Sequence, residues 1–183
     1  TRKYFFSTGG PRIIAEFPYN NGRISNEQYF IVQTDGVINL KSFENLVYFE
    51  VSGINEKVKS KIISDKNRDV VIQYAIEHNS DWYQLRKTFQ EVKKDQAALA
   101  KFKAENFKNF IVFAASRKFP DGANIVIHFS KGLASTTGIV SEDEKTLQYE
   151  SIPPFTAEFS CTRTTVTDGC NPVQDVEVIF SNE

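Results

Sequence analysis

The sequence predicts a mainly β protein with a helical insertion, folded as an antiparallel β-sandwich. Its 183 residues include 16 phenylalanines, which is enough apolar material to bury a sizeable core. Short apolar segments bounded by Gly, Pro, Asn and Asp occupy the first and last thirds of the chain, as is typical of strands joined by turns. In the middle third the apolar residues recur at three- and four-residue steps, which indicates amphipathic helices.

Three strands are predicted in the first third, after a short aromatic segment at Tyr4–Ser7. These strands are Arg12–Phe17, Gln28–Thr34 and Leu46–Val51. Both alternating sets of side chains in Gln28–Thr34 are apolar or aromatic, so we expect this strand to be buried on both faces.

Two helices are predicted in the middle of the chain, within a helical insertion at about residues 64–106. Ser64 can cap the first helix, and Ser80 can cap a longer one that runs to Lys103. We expect the longer helix to lie across the sandwich with a buried apolar stripe. That stripe includes Trp82, Leu85, Phe89 and Leu99.

The opposite face of the longer helix is rich in charge, with basic residues in excess. These are Arg86, Lys87, Lys93, Lys94, Lys101 and Lys103, beside Glu91 and Asp95. A basic docking surface is one interpretation, and an ordinary solvated helix face is the other and the better supported one.

Five strands are predicted in the last third. They are Phe110–Ala115, Asn124–Phe129, Thr146–Glu150, Thr156–Cys161 and Gln174–Phe180. The last of them alternates apolar and polar residues, so we expect it to be buried on one side.

A short sequence similarity between two parts of the chain, here called the internal echo, suggests tandem modules of one kind. The tripeptide Ala15-Glu16-Phe17 is followed by a turn and a strand, and Ala157-Glu158-Phe159 is followed by a loop and another strand. Chance similarity between strands remains the alternative. We therefore expect one module over residues 1–155 and, over residues 156–183, a disulfide hairpin that could begin a second module.

The two cysteines are predicted to form a disulfide. Cys161 and Cys170 enclose a short stretch of turn-forming and β-branched residues, and they are the chain's only cysteines. A bond between them would imply an oxidising compartment, and a pair of free thiols is the alternative. A redox-active pair would need the Cys-x-x-Cys spacing, which is absent.

No catalytic, cofactor-binding or metal-binding residues are predicted. The two histidines, His78 and His128, lie outside any recognisable nucleophile motif, and His128 alternates with apolar residues as on a sheet face. Two cysteines and two distant histidines are too few for a zinc site. The net charge of −1 gives no reason to expect nucleic acid as a partner. We therefore expect a non-enzymatic protein without a cofactor.

Three segments carry a resemblance to a known family. Residues 119–127, Phe-Pro-Asp-Gly-Ala-Asn-Ile-Val-Ile, look like the turn and strand common in bacterial immunoglobulin-like modules. The opening residues 4–11, Tyr-Phe-Phe-Ser-Thr-Gly-Gly-Pro, and residues 155–161, Phe-Thr-Ala-Glu-Phe-Ser-Cys, are more specific. Together the segments resemble the N-terminal half of large bacterial α2-macroglobulin-like proteins.

This resemblance implies an immunoglobulin-like scaffold module of a broad-spectrum protease inhibitor, in the periplasm or outside the cell. Its partners would be neighbouring macroglobulin-like domains and, through the full-length protein, target proteases. Membrane anchoring of the full-length protein is left open. The Cys-Gly-Glu-Gln thioester motif of many members is absent, so no trapping chemistry is assigned to this chain. The lack of Met suggests a segment of a longer polypeptide. The alternative function is a surface adhesion or ligand-binding module.

Overall fold

The structure of the protein is a computed structural model that describes residues 9–64, 66–165 and 167–181. The short aromatic segment at Tyr4–Ser7 lies outside these residues. Contacts within the chain divide it into two compact units. The first unit is Thr1–Ile152 and the second unit is Pro153–Glu183.

Eight strands of the first unit form one sheet in the order β1-β3-β6-β5-β4-β7-β8-β2. Their bounds are β1 Ile13–Phe17, β2 Gly22–Ile24, β3 Tyr29–Thr34, β4 Val47–Val51, β5 Val58–Ile62, β6 Phe110–Ala115, β7 Asn124–Phe129 and β8 Lys145–Ser151. Adjacent strands are antiparallel, except that β2 runs parallel to β8.

The helices of the first unit lie mainly between β5 and β6. Their bounds are α1 Leu40–Leu46, α2 Lys66–His78, α3 Tyr83–Val92 and α4 Gln96–Asn106, with single 3₁₀ turns at Ser80–Trp82 and Phe107–Asn109. Only α1 falls outside the insertion, because it connects β3 to β4.

The sheet folds back on itself, and its two halves enclose an aromatic core. Phe30 on β3 has its ring centroid 5.5 Å from that of Phe49 on β4 and 5.2 Å from that of Tyr149 on β8, although neither strand is adjacent to β3 in the sheet. Phe113 on β6 similarly lies 6.1 Å from Phe129 on β7. These contacts join the halves face to face as the layers of a sandwich. The predicted class, a mainly β, immunoglobulin-like sandwich with a helical insertion, is confirmed.

A second core joins the helices to the outer face of β3 and β6. Side chains alternate across a strand, so β3 sends Phe30 inward and Ile31 outward, and β6 sends Val112 outward. The predicted burial of Gln28–Thr34 on both faces is therefore confirmed for its central residues. Ile31 and Val112 pack with Trp82 and Phe89 of the helical segment. The helical insertion thus docks on its own sheet, as expected.

The single long helix predicted from Ser80 to Lys103 is wrong. The segment begins with a 3₁₀ turn, continues as α3 to Val92, and restarts as α4 at Gln96. The break occurs because the side chain of Asp95 accepts hydrogen bonds from the backbone N–H groups of Ala97 and Ala98, which caps a new helix. Of the predicted stripe, Trp82 and Phe89 are fully buried, while Leu85 and Leu99 are half-buried.

The predicted cap at Ser80 is also wrong by one residue. Asn79 occupies the cap position, and its side-chain oxygen accepts from the backbone N–H of Asp81 at 2.8 Å. Asn79 is fully buried, and its amide nitrogen also donates to the carbonyl of Glu16 at 3.0 Å. The Ser80 hydroxyl instead hydrogen-bonds the Tyr19 hydroxyl at 2.6 Å. The asparagine therefore ties the helical insertion to β1.

The edge strand β1 approaches β8, the strand next to the opposite edge of the folded sheet. Lys145 on β8 forms a 2.8 Å ion pair with Glu16 on β1. The Tyr149 hydroxyl donates to the carbonyl of Pro18, which follows a cis peptide bond, at 2.9 Å. Burial, and secondarily the charge of Glu16, raises the pKa of the Tyr149 phenol far above its usual range.

Candidate interaction surface

The second unit is built on one antiparallel strand pair. Its strands are β9, Ala157–Cys161, and β10, Val176–Phe180. Cross-strand partners are Ala157 with Phe180, Phe159 with Val178, and Cys161 with Val176. Phe155, which precedes β9, stacks on Phe180 at the end of β10, with ring centroids 5.6 Å apart.

The predicted disulfide between Cys161 and Cys170 is confirmed. It closes a loop whose ends are nine residues apart, with a Cα–Cα distance of 5.6 Å, which is in the usual range. The backbone N–H of Asn171 donates to the carbonyl of Thr162 at 2.9 Å, so the loop is also held by a hydrogen bond beside the covalent one.

One face of this strand pair is entirely apolar. Partners across an antiparallel pair share a face, and side chains alternate along each strand. The register therefore places one set of side chains together, here called the hairpin face. Its members are Ala157, Phe159, Cys161, Val176, Val178 and Phe180. The opposite face is more polar and carries Glu158, Ser160, Glu177 and Ile179.

The hairpin face is exposed. Phe159, Val176, Val178 and Phe180 retain between 48% and 59% of their accessible surface. The prediction that β10 is buried on one side is therefore wrong within its own unit, because the described residues of the second unit supply no second layer over the pair. The alternation identifies an apolar face, but the pattern alone does not say whether that face is covered.

The pair β9–β10 has the same arrangement as the pair β1–β3. In the first unit Ala15 pairs with Gln33 and Phe17 with Ile31, as Ala157 pairs with Phe180 and Phe159 with Val178 in the second. The echoed Ala-Glu-Phe thus places Ala and Phe on one face of an antiparallel pair in both units. In the first unit that face is covered by the helical layer.

Each of the two histidines stacks on a nearby tyrosine. His78 stacks on Tyr74 with ring centroids 4.0 Å apart, and its Nδ1 lies 2.7 Å from the Tyr74 carbonyl oxygen within α2. His128 is on the sheet face, as predicted, where it stacks on Tyr48 at 4.8 Å and lies 3.1 Å from a Glu50 carboxylate oxygen. Both positions are explained by packing and local polar contacts.

The basic residues of the helical insertion are in part neutralised by acidic neighbours. Lys103 pairs with Asp69 at 3.1 Å, and Lys93 lies 3.9 Å from Glu77. The Arg86 guanidinium donates to the Glu77 carbonyl at 3.1 Å and lies over the Tyr83 ring. This arrangement favours a solvated helix face over a basic docking surface.

No cluster of three or more His, Cys, Asp or Glu side chains suited to a metal ion occurs among the residues that the structure describes. Within the same residues, no helix has the length and hydropathy needed to cross a membrane.

Comparisons with known proteins give weak likenesses only. No protein-family model and no curated protein matches the chain. Among solved structures, the LD transpeptidase LdtMt1 in complex with imipenem has a TM-score of 0.39 at 10% identity, over 78% of this chain and 40% of that one. Domains 1–6 of the surface layer protein SbsC have a TM-score of 0.41 at 10% identity, over 85% of this chain and 16% of that one.

The N-terminal part of the bacterial S-layer protein SbsC also has a TM-score of 0.41 at 10% identity, over 95% of this chain and 41% of that one. The chain thus spans less than half the length of each of these structures.

Proposed function

We propose that the chain is a non-catalytic scaffold module of a large bacterial α2-macroglobulin-like protease inhibitor. The observation that carries the proposal is the repeated strand pair. One copy is part of the folded eight-stranded sheet and is covered by helices, and the other copy exposes an apolar face. A protein with this design is suited to act as one link in a series of similar modules.

The sequence resemblance to α2-macroglobulin-like proteins indicates which kind of multi-module protein this series of modules would form. The segments at residues 4–11 and 155–161 stand near the beginnings of the two units, where a repeated module would repeat its opening. The disulfide supports an extracytoplasmic location, because such bonds persist in oxidising compartments. The buried core of the first unit suits a structural role. Its two histidines stack on neighbouring tyrosines.

The proposal is tested with the longest product of the same gene, incubated with trypsin. A trap encloses the protease without blocking its active site. We expect hydrolysis of a small peptide substrate to continue while hydrolysis of casein falls at least several-fold. Loss of both activities would indicate an active-site inhibitor, and unchanged hydrolysis of both substrates would contradict the proposal.

A matched variant separates scaffolding from a direct contact with the protease. Phe113→Ala opens the aromatic core, because Phe113 is fully buried between the sheet halves. We expect it to abolish trapping together with folding of the first unit. Lys94→Ala changes an exposed side chain and should leave trapping unchanged. Trapping that survives unfolding of the first unit would rule out the scaffold role.

A further inference from the structure

The hairpin face of the second unit is too small to hold a separate protein. Two strands of five residues present roughly 17 Å by 10 Å, or about 170 Å², because strands rise about 3.4 Å per residue and lie about 4.8 Å apart. A stable complex buries about 800 Å² on each partner. A second copy docked on this face alone would fall well short of that area.

The strand pair is also incomplete as a sheet. An isolated two-stranded sheet is marginally stable in water, and an uncovered edge strand invites further pairing. Within the described residues, β10 pairs with β9 alone. The matching strand of the first unit, β3, pairs with β1 on one side and with β6 on the other.

The first unit shows what covers the matching face. Phe17 on β1 contacts Tyr74 of α2, with ring centroids 6.2 Å apart in an edge-on arrangement. Ala15 and Ile31 belong to the same buried cluster as Ile72, Ala75 and Ile76 of α2. An apolar helix face therefore lies against the Ala and Phe of the echoed tripeptide.

We propose that the hairpin face is the docking site for an apolar helical layer that belongs to a second module of the same polypeptide. This layer would cover Ala157, Phe159 and Val178 as α2 covers Ala15, Phe17 and Ile31. A further strand would pair with the free edge of β10, as β6 pairs with β3. Because the layer is in the same polypeptide, docking loses little translational freedom, so a small face suffices.

This inference rests on the proposed role as a scaffold built of modules in series, and it is tested separately. Amide hydrogen exchange is measured for β9 and β10 in the 183-residue chain and in the longest product of the same gene. We expect exchange in the longer product to be at least ~100-fold slower, because a covered sheet opens far less often than an exposed strand pair. Equal exchange in both proteins, or a gene product that ends at Glu183, would overturn the inference.

Two variants locate the effect on the hairpin face. In the longer product, Phe159→Ser should restore the fast exchange of the short chain, because it removes one of the two phenylalanine rings on that face. Glu158→Ser changes the neighbouring residue on the opposite face and should leave exchange slow. Equal effects of the two substitutions would refute docking on this face.

Other occupants of the face give different results in the 183-residue chain. If the face instead packs on the first unit, Phe159→Ser should lower the unfolding temperature of that unit. If a second copy binds, sedimentation should show a concentration-dependent dimer that Phe159→Ser abolishes. Either result would overturn the inference. A longer product that protects β9 and β10 but fails to trap trypsin would refute the proposed function and leave this inference standing.

Discussion

Replacing Phe89 by alanine tests whether the helical insertion stabilises the sheet beneath it. Phe89 lies on α3, is 3% exposed, and has its ring 5.8 Å from that of Phe102 on α4. Truncating a buried Phe to Ala costs about 3–5 kcal/mol, because transfer energy is lost and a cavity remains. That is a large share of the roughly 5–15 kcal/mol by which domains are usually stable.

Urea denaturation followed by tryptophan fluorescence measures this change, since Trp82 lies in the same cluster. With a slope of about 1–3 kcal/mol per molar urea, we expect the midpoint to fall by at least ~1 M. Tyr83→Ala is the control, because Tyr83 is on the same helix but 57% exposed. Loss of the Tyr83 ring and of its contact with Arg86 should lower the free energy of unfolding by at most about 1 kcal/mol. If Phe89→Ala unfolds like the unmodified protein, or loses a dimer instead of stability, the helices do not dock on their own sheet.

Three further predictions concern single contacts. The Tyr149 phenol has a raised pKa in the folded state, so stability should be retained below about pH 10, where the unfolded phenol titrates, and should fall as the pH rises above it. Tyr149→Phe should remove that slope in urea midpoints, and an unchanged slope would exclude Tyr149 as its source. Asp95→Ala should cost about 1 kcal/mol and lower the helical circular dichroism, because it removes the cap of α4, whereas Gln96→Ala should have little effect. Thiol titration of the unfolded, unreduced protein should find no free thiol, because Cys161 and Cys170 are bonded. Closing this short loop should contribute up to about 2–3 kcal/mol to the stability of the folded state. Two free thiols would contradict the bond.

The strands that the sequence predicts best are those with continuous apolar runs. Phe110–Ala115 and Asn124–Phe129 have the predicted bounds, because a strand buried on both faces or beside the core leaves little ambiguity. The strand Val58–Ile62 escaped prediction because two lysines and a serine interrupt it, although Val58 and Ser60 are buried on one side. Gly22–Ile24 escaped because its three residues are defined by pairing with the distant β8.

The unpredicted helix α1 and the unpredicted break between α3 and α4 have the same local cause, a helix-capping side chain. Asn39 caps α1 by accepting from the backbone N–H groups of Lys41 and Ser42, and asparagine is a strong helix-capping residue. Asp95 caps α4 in the same way within a run that has an unbroken apolar period. Periodicity therefore identified the buried stripe but could not reveal that two helices share it.

The candidate surface was only partly predictable. The isolation of Cys161 and Cys170 was enough to predict their bond, and the alternation of β10 indicated an apolar face. Whether such a face is covered depends on residues far away in the sequence, as the contact of Phe17 with Tyr74 illustrates. A local pattern therefore could not separate a finished sheet from an open one.

The parallel pairing of β2 with β8 determines how the first unit responds to force. Gly22, Arg23 and Ile24 are paired with Tyr149, Glu150 and Ser151, so the second strand of the unit is joined to its last strand. Because the two strands run in the same direction, tension between the ends of the unit slides one along the other. Their hydrogen bonds are then loaded together in shear, whereas an antiparallel pair pulled from one end opens one bond at a time. The β2–β8 pair thus lies where tension along the polypeptide would act on the unit.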